Sequence, residues 1–365
     1  MYSKNPVSIA KRENNKQRNY LVVNRLQAKH VPALPSETLE MFDSLAGIVR
    51  DKFQPDSLLL IGFAETATAI GSRLAVQLGG CYMQTTRENI DNVEYLFFTE
   101  SHSHASEQRL IKTDLDKIIG SISDIVFVED EITTGNTIYK IVNIIRETYP
   151  EKQLRFSAVS LLNGMDSKAL LRYRESHIET YYLIKTDHRP FIRMAEQYRC
   201  DGKYIREYTP HTDRAVCRTI TGAVNSRRAV SANDYDTACR RLAQNILSEE
   251  NLSHKRSLLV VGTEECMYPA IYTAYQLEQS GMDVRCHSTT RSPIAVSTEA
   301  DYPLHCRYEL DSIYEYGRKT FIYDLKKYDK VIIITDAAPD TGSTDTLIGA
   351  LQSVGNDNIE IVRWC

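Results

Sequence analysis

Two adjacent acids, Glu129 and Asp130, follow an apolar run in the segment IVFVEDEITTGNT, which covers residues 125–137. An apolar run of this kind is typical of a strand buried on both faces of a parallel sheet. Beyond the next loop, apolar residues recur at helical spacing: Ile138, Ile141, Val142 and Ile145. Since open parallel sheets bind ligands beyond the carboxyl ends of their strands, we expect the acids and the loop to bind one.

The loop after the acids consists of small and hydroxyl-bearing residues: Thr133, Thr134, Gly135, Asn136 and Thr137. At the N-terminus of a helix, its backbone N–H groups and hydroxyls would favour an anion such as phosphate. Carboxylates would repel a bare phosphate, but as hydrogen-bond acceptors they suit sugar hydroxyls or a bound Mg²⁺. A sugar phosphate would satisfy both groups.

The composition limits the alternatives. The chain has 365 residues, 42% hydrophobic and 25% charged, which suits a soluble protein of about two domains. Its net charge of -4 argues against a general nucleic-acid or membrane binder. The eight cysteines include no C-x-x-C pair, and the sequence shows neither a signal peptide nor an apolar run long enough for a membrane span. These features predict a reduced, cytoplasmic chain. Walker and G-x-G-x-x-G motifs do not occur, which argues against an NTPase or a Rossmann dehydrogenase.

The segment 125–137 resembles the signature of type I phosphoribosyltransferases: an apolar strand, two acids, two variable residues, Thr-Thr-Gly, a small residue and Thr. The resemblance implies that Glu129 and Asp130 hold the ribose 2- and 3-hydroxyls of phosphoribosyl pyrophosphate (PRPP). The loop at 133–137 would cradle the 5-phosphate, and Mg²⁺, carried mostly by PRPP, would contact Asp130. The alternative is an ordinary capped turn from strand to helix.

The resemblance also implies an upstream loop that binds pyrophosphate. The segment LLLIGFAETATAIG supplies a strand at residues 58–61, a loop opened by Gly62 and a helix at residues 67–78. This loop lacks the lysine that some relatives place near Thr66, so binding through backbone N–H groups around Glu65 and Thr66 is the remaining mechanism. An ordinary strand-to-helix turn is the alternative here too.

Basic and titratable residues complete the implied site. In relatives such as orotate phosphoribosyltransferases the next strand ends in basic residues that reach the pyrophosphate, and here it ends in Thr86 and Arg87. A guanidinium binds phosphate oxygens bidentately and stays charged as the leaving group departs. The alternative is a surface arginine paired with Glu88. His102 and His104 fall where the family has a mobile lid, and we expect an acid–base or pyrophosphate-contacting pair rather than a zinc site.

Several segments recur later in the chain in the same order. Gly62 has a counterpart in Gly262, the strand end MQTTREN in HSTTRSP, and Gly135 in Gly342. This order favours a degenerate duplication over two unrelated α/β domains with a common layout. Because Thr335 replaces the first acid, we expect the copy to bind a phosphate without turnover, unless Arg291 merely pairs with a local acid. The predicted second site comprises Arg291, Ser292, Asp336 and Gly342.

The sequence Thr290 to Pro293 spells the motif that names the TRSP domain, which accompanies a phosphoribosyltransferase-like domain in proteins of bacterial tellurite-resistance gene clusters. We therefore predict an α/β protein. A phosphoribosyltransferase domain with a doubly wound parallel sheet would occupy residues 1–188. A connecting helical segment at 189–250 and a degenerate copy, the TRSP domain, at 251–365 would follow.

The implied function is Mg²⁺-dependent transfer of phosphoribose from PRPP to an unknown base or amine acceptor, with release of pyrophosphate, in the biosynthesis of a nucleoside-like metabolite. A non-catalytic PRPP sensor or regulator is the alternative, because some relatives with intact PRPP loops regulate transcription, although no DNA-binding module is recognisable. An interaction scaffold would not need both acids. The acceptor and the oligomeric state, for which a homodimer is one option, do not follow from the sequence.

Overall fold

The structure, a computed structural model, describes residues 6–13, 18–99, 107–212, 215–248, 257–339 and 341–365. The helices of these residues are α1 (Pro35–Val49), α2 (Thr68–Leu78), α3 (Lys112–Ile118), α4 (Asn136–Thr148), α5 (Ser167–Glu175), α6 (Phe191–Gln197), α7 (Ala232–Leu247), α8 (Tyr268–Gln279) and α9 (Asp345–Ser353). The strands are β1 (Val7–Lys11), β2 (Tyr20–Asn24), β3 (Leu58–Gly62), β4 (Cys81–Gln84), β5 (Tyr95–Thr99), β6 (Glu107–Ile111), β7 (Asp124–Ile132), β8 (Arg155–Asn163), β9 (Ile178–Lys185), β10 (Lys203–Ile205), β11 (Ala215–Ile220), β12 (Val230–Ser231), β13 (Ser257–Gly262), β14 (Asp283–Ser288), β15 (Cys306–Asp311), β16 (Lys319–Tyr323), β17 (Lys330–Thr335) and β18 (Ile359–Trp364).

The described chain forms two compact units, each discontinuous in sequence. The first unit combines residues 40–188 and 224–237, and the second combines 6–39, 189–223 and 238–365. The domains predicted from the sequence are three consecutive ranges instead: 1–188, 189–250 and 251–365. The stretch at 189–250, predicted as a connecting helical segment, supplies β12 to the sheet of the first unit and β11 to the sheet of the second. Local patterns cannot show such pairings, because strand pairing depends on tertiary context.

A six-stranded sheet forms the centre of the first unit, in the order β12-β4-β3-β7-β8-β9. Strands β4, β3, β7, β8 and β9 run parallel, and the short β12 pairs antiparallel with β4 at one edge. From β3 the chain passes to β4 on one side and then to β7 on the other. The crevice in which such sheets bind ligands therefore lies beyond the ends of β3 and β7.

The apolar runs of the sequence form the central strands, as predicted. All residues of β3 are buried, and so are those of β7 as far as Val128. Strand β7 continues beyond the predicted end through Glu129 and Asp130, because it stays paired with β8 as far as Asn163. Helix α4 buries the apolar residues whose spacing predicts it: Ile138, Ile141, Val142 and Ile145.

A five-stranded sheet forms the centre of the second unit, in the order β11-β18-β17-β13-β14, and all of its pairings are parallel. Leu347 and Leu351 of α9 share a buried core cluster with Val331 and Ile333 of β17. The predicted α/β class, with a parallel sheet in each part of the chain, is confirmed. No helix among the described residues is long and apolar enough to cross a membrane.

Candidate functional site

The loop after β3 meets an acid of β7 at the end of the first unit's sheet. The Thr66 hydroxyl donates a hydrogen bond to Asp130 Oδ1 at 2.8 Å. Two segments that are distant in sequence and predicted to share one site are therefore in contact. Burial raises the pKa of Asp130, and the neighbouring Glu131 carboxylate raises it further, against the opposing effect of the Thr66 hydrogen bond. A cation or additional hydroxyl donors placed here would stabilise the charged carboxylate.

Glu129 lies on the opposite face of β7 from Asp130, because successive strand residues point to opposite faces. It is half-buried and stands in register with Ser160 of β8. Burial raises the pKa of Tyr173 in α5, the Arg172 guanidinium opposes that rise, and the Glu129 carboxylate adds to it. The two acids therefore lie on opposite faces at the end of β7, with Asp130 toward the loop after β3.

A closed ring of hydrogen bonds shapes the loop after β3. The Ala64 N–H donates to Thr85 Oγ1 at 2.8 Å, the Thr85 hydroxyl donates to Gln108 Oε1 at 2.8 Å, and the Gln108 amide donates to Ala64 O at 2.5 Å. Thr85 and Gln108 are fully buried, so water does not compete with these bonds. Sequence reasoning missed Gln108, because nothing around it marks a residue of β6 as a partner of this loop.

The other predicted residues of this loop have partners within the protein. Gly62 makes room for Tyr82, since a Cβ at Gly62 would lie 2.7 Å from the Tyr82 hydroxyl oxygen. Glu65 is buried, and its carbonyl accepts a hydrogen bond from Thr68 Oγ1 at 3.2 Å. The peptide bond between Ala64 and Glu65 is cis. The contacts of Gly62 and Glu65 help to define the backbone of the loop, whose N–H groups are predicted to bind pyrophosphate.

The end of β4 sets the position of Arg87. The buried Thr86 exchanges two backbone hydrogen bonds with Arg109, at 2.9 and 3.1 Å, and its hydroxyl accepts from the Glu88 N–H at 2.9 Å. The half-buried Arg87 therefore extends from a fixed backbone directly beyond the strand. The predicted lid residues lie outside the described part of the chain: His102 and His104.

Helix α5 holds the loop that precedes α4. Gly135 has a φ of 70°, and a Cβ there would lie 2.5 Å from the Tyr173 hydroxyl oxygen, so the position requires glycine. Tyr173 Oη donates to Gly135 O at 2.6 Å, and Arg172 Nη2 donates to Thr134 O at 2.8 Å. Helix α4 begins at Asn136, so its N-terminal N–H groups lie at the loop that is predicted to bind phosphate.

A cavity of about 260 Å³ opens at this loop. Its lining combines the predicted phosphate loop with the start of α5: Thr133, Thr134, Asn136, Gly164, Asp166, Lys168, Ala169 and Arg172. Asp166 caps α5 by accepting from the Ala169 N–H at 2.7 Å, whereas Lys168 and Arg172 add positive charge to the lining. The cavity is smaller than the ~300–1,000 Å³ of pockets for drug-sized ligands, so it suits a small anionic group. Sequence reasoning missed both cations, because they follow the next strand.

The predicted second site is organised around a residue that sequence reasoning missed, Glu264. Arg291 Nε lies 2.7 Å from Glu264 Oε2, and Arg291 Nη2 lies 3.4 Å from Glu265 Oε1. Ser312 Oγ donates to Glu264 Oε1 at 2.6 Å. A Cβ at Gly342 would lie 2.1 Å from Ser312 O, so the glycine loop packs on the same serine. Arg291 and the Gly342 loop are therefore connected through Glu264 and Ser312.

Asp336 and Ser292 also have partners within the second unit. Tyr314 Oη donates to Asp336 Oδ1 at 2.5 Å and lies 2.9 Å from Thr263 Oγ1. The Ser292 carbonyl accepts from Tyr323 Oη at 2.7 Å. The local acid pairing of Arg291, which the sequence left open, is thus present in the structure. A ligand phosphate at these residues stays a prediction.

Comparisons with known proteins match two parts of the chain to family models. Residues 7–187 match the model described as phosphoribosyl transferase, and residues 225–351 match the TRSP domain described as C-terminal to it. A search of curated proteins finds no match.

Solved phosphoribosyltransferase structures are similar to part of the chain. Adenine phosphoribosyltransferase from Trypanosoma brucei, in complex with AMP, pyrophosphate and ribose-5-phosphate, is 13% identical with a TM-score of 0.34, covering 49% of this chain and 76% of that chain. The enzyme from Giardia lamblia with 9-deazaadenine is 12% identical with a TM-score of 0.34, covering 50% and 94%. Orotate phosphoribosyltransferase from Aeropyrum pernix is 15% identical with a TM-score of 0.31, covering 52% and 93%. Likeness at this level identifies no substrate.

Proposed function

Because residues 7–187 of the chain belong to the phosphoribosyltransferase family and residues 225–351 to the TRSP domain that follows it, we propose that the first unit transfers phosphoribose from PRPP to a base or an amine. The observation that carries the proposal is the contact between Thr66 and Asp130 at the crevice of the parallel sheet. This contact joins a loop suited to pyrophosphate with an acid suited to ribose hydroxyls.

Three neighbouring features of the first unit match the three parts of PRPP. The loop at residues 62–67 would bind pyrophosphate through its backbone N–H groups. Glu129 and Asp130 would accept hydrogen bonds from the ribose hydroxyls. The cavity of about 260 Å³ at residues 133–137 would take the 5-phosphate, where the N-terminus of α4 and the two cations of α5 supply positive potential.

The proposed reaction exchanges one bond at ribose C1 for another. The bond to a pyrophosphate oxygen breaks, its electron pair leaves with pyrophosphate, and the lone pair of the acceptor forms the new bond. Positive charge develops on the ribose ring, as in glycoside cleavage, so the Glu129 and Asp130 carboxylates become more favourable in the transition state. The Arg87 guanidinium would bind the leaving pyrophosphate as negative charge develops on it.

The residues at the crevice fit Mg²⁺ as the proposed cofactor. The Asp130 carboxylate and the Thr66 hydroxyl are hard oxygen donors, which Mg²⁺ prefers. Within the described residues, no group of three or more His, Cys, Asp or Glu side chains is arranged to hold a metal ion. The ion would therefore take most of its ligands from PRPP, with Asp130 as the protein contact. When bound, it would offset the charge of the pyrophosphate group.

Pyrophosphate release from Mg-PRPP, assayed across a panel of bases and amines, tests the proposed function. We expect release that depends on one acceptor and is lost when Glu129→Gln is combined with Asp130→Asn. PRPP binding without release for any acceptor would contradict the transferase and favour a non-catalytic PRPP sensor. The proposed reaction would be a step in the biosynthesis of a nucleoside-like metabolite linked to tellurite resistance.

We also propose that the second unit is a degenerate copy of the first. The order β14-β13-β17-β18 in the second sheet repeats the order β4-β3-β7-β8 in the first. The strands beyond them differ: β9, beside β8, comes after these four strands in the chain, whereas β11, beside β18, comes before its four. Two hydrogen bonds of the loop after the first central strand recur in both units. Thr85 N donates to Gly62 O at 2.9 Å, and Thr289 N donates to Gly262 O at 3.0 Å. Ala64 N donates to Thr85 Oγ1 at 2.8 Å, and Glu264 N donates to Thr289 Oγ1 at 3.0 Å. An experimental structure in which these four strands do not superpose between the units would contradict the duplication.

A further inference from the structure

Glu264, in the loop after β13, is a buried carboxylate surrounded by hydrogen-bond donors. It is 1% exposed. Arg291 Nε lies 2.7 Å and Arg318 Nη2 lies 3.0 Å from the same oxygen, Oε2, and Ser312 Oγ donates to Oε1 at 2.6 Å. Two guanidiniums and a hydroxyl thus converge on one carboxylate. The same set of donors would suit a phosphate group.

In the first unit, the position that corresponds to Glu264 is held by Ala64, whose side chain is a methyl group. Ala64 and Glu264 each donate their backbone N–H to the threonine that ends the next strand, at 2.8 and 3.0 Å. They therefore occupy equivalent places in the two loops. Arg87 and Arg291 are equivalent as well, since each follows a pair of threonines at that strand end. At this place the first unit carries only the Ala64 methyl group, whereas the second unit carries a carboxylate that pairs with Arg291.

We propose that Glu264 is a built-in anion that occupies the position of a bound phosphate group, so that the second unit does not take up PRPP or pyrophosphate. An incoming phosphate would meet the Glu264 charge at the centre of the cations. Displacing Glu264 would leave a buried carboxylate without its partners, which is strongly unfavourable. Asp336 is also engaged, because Tyr314 Oη donates to its Oδ1 at 2.5 Å. The proposal replaces the ligand phosphate predicted on Arg291 with the chain's own carboxylate.

Calorimetric titration of the full chain with pyrophosphate tests this inference through Glu264→Ala, which copies Ala64 of the first unit. We expect one more pyrophosphate site per chain in the variant than in the unaltered protein, whatever number the first unit contributes. Adding Arg291→Ala to the variant should remove the gained site. The matched control is Glu315→Ala, because Glu315 also pairs with Arg318, at 2.7 Å, but is 62% exposed. The control should gain no site.

Circular dichroism and thermal unfolding accompany the titration, because Glu264→Ala leaves the arginines without their carboxylate. If this variant is unfolded alone, pyrophosphate should restore its fold, and Glu264→Gly, which also empties the position and suits its φ of 47°, should show the gained site. An unchanged number of sites in both variants, no recovery with pyrophosphate, or an equal gain in Glu315→Ala would overturn the inference. Absence of PRPP turnover would not affect this result, since the readout is a difference between variants.

Discussion

The two units share two hydrogen bonds that attach the loop after their first central strand to the next strand, but they place different side chains in that loop. Ala64 of the first unit and Glu264 of the second each donate a backbone N–H to a buried threonine. The attachment of the loop to the next strand is therefore shared, whereas its backbone conformation and its side chain at this position differ: Ala64–Glu65 is a cis peptide bond, and Glu264 has a φ of 47°. In the first unit the loop meets the acid Asp130 through Thr66, and in the second it is closed by its own carboxylate.

The largest effect expected from this comparison is on stability, in Glu264→Ala. Removing one partner of a buried ion pair leaves uncompensated charge, so we expect the free energy of unfolding to fall by roughly 3 kcal/mol. Glu315→Ala removes an exposed partner of the same Arg318 and should cost less than about 1 kcal/mol. Urea unfolding of both variants measures the difference. Equal losses would mean that Glu264 is not the centre of the network.

The next effect concerns the equivalent arginines. If Arg87 binds the leaving pyrophosphate as charge develops, Arg87→Ala should lower kcat by about 100-fold while weakening PRPP binding much less. Arg291→Ala, the same change in the second unit, should leave kcat unchanged because Glu264 already takes up that guanidinium. Steady-state kinetics with a true acceptor gives both values. Normal turnover in Arg87→Ala would contradict its assigned role.

Replacing the two acids Glu129 and Asp130 should have a smaller effect, on the affinity for PRPP. Combining Glu129→Gln with Asp130→Asn should weaken PRPP binding by at least about 2 kcal/mol, or about 30-fold, because two charged hydrogen-bond acceptors are lost. Asp336→Asn serves as the control, since it changes the corresponding acid of the second unit. Calorimetry with Mg-PRPP compares the two. Unchanged affinity in the double variant would remove Glu129 and Asp130 from the site.

The cavity at the phosphate loop predicts a still smaller and more selective effect. Lys168→Ala should weaken PRPP binding by about 1 kcal/mol or less, as for an exposed ion pair, without changing the affinity for pyrophosphate, which lacks the 5-phosphate. Arg174→Ala is the control, because Arg174 is an exposed cation of the same helix and does not line the cavity. Competition binding with both ligands provides the measurement. Equal weakening for PRPP and pyrophosphate would place Lys168 elsewhere.

The smallest expected effect is a pH-dependent gain of stability in Asp130→Asn. Burial, reinforced by the charge of Glu131, raises the pKa of Asp130 in the folded chain, so the stability linked to this group is present below the unfolded pKa of about 4. It is lost as pH rises through the folded pKa. Asp130→Asn stays neutral and should therefore be slightly more stable than the unaltered protein at neutral pH, with the difference vanishing in acid. Urea unfolding across a pH series would contradict this if the variant were less stable at neutral pH.

Local sequence patterns predicted the elements that carry the candidate site of the first unit. Strand β3 and helix α4 occur where apolar runs and helical spacing place them, and the order of strand, acid and glycine turn located Asp130 and Gly135. These features depend on residues near one another in the chain, so a single segment contains enough information to predict them. The resemblance to type I phosphoribosyltransferases, rather than a local pattern, predicted that the loop after β3 and Asp130 share one site, and the hydrogen bond between Thr66 and Asp130 shows that they are in contact.

The residues that sequence reasoning missed act across long separations. Gln108 reaches back to Ala64, Lys168 enters the cavity from the helix after the next strand, and Glu264 meets Arg318 across the second unit. Each is a common residue type without a motif around it. Its role depends on which distant segments the fold brings into contact with it. The placement of β11 and β12 in different sheets was missed for the same reason, since edge pairing leaves no local pattern.

Calorimetric titration of the full chain with Mg-PRPP tests most directly whether one unit binds this ligand and the other is closed by its own carboxylate. We predict one site per chain, which is lost when Glu129→Gln is combined with Asp130→Asn and is retained in Arg291→Ala. Two sites in the unaltered protein, or a single site that survives the double acid variant and disappears in Arg291→Ala, would contradict the account.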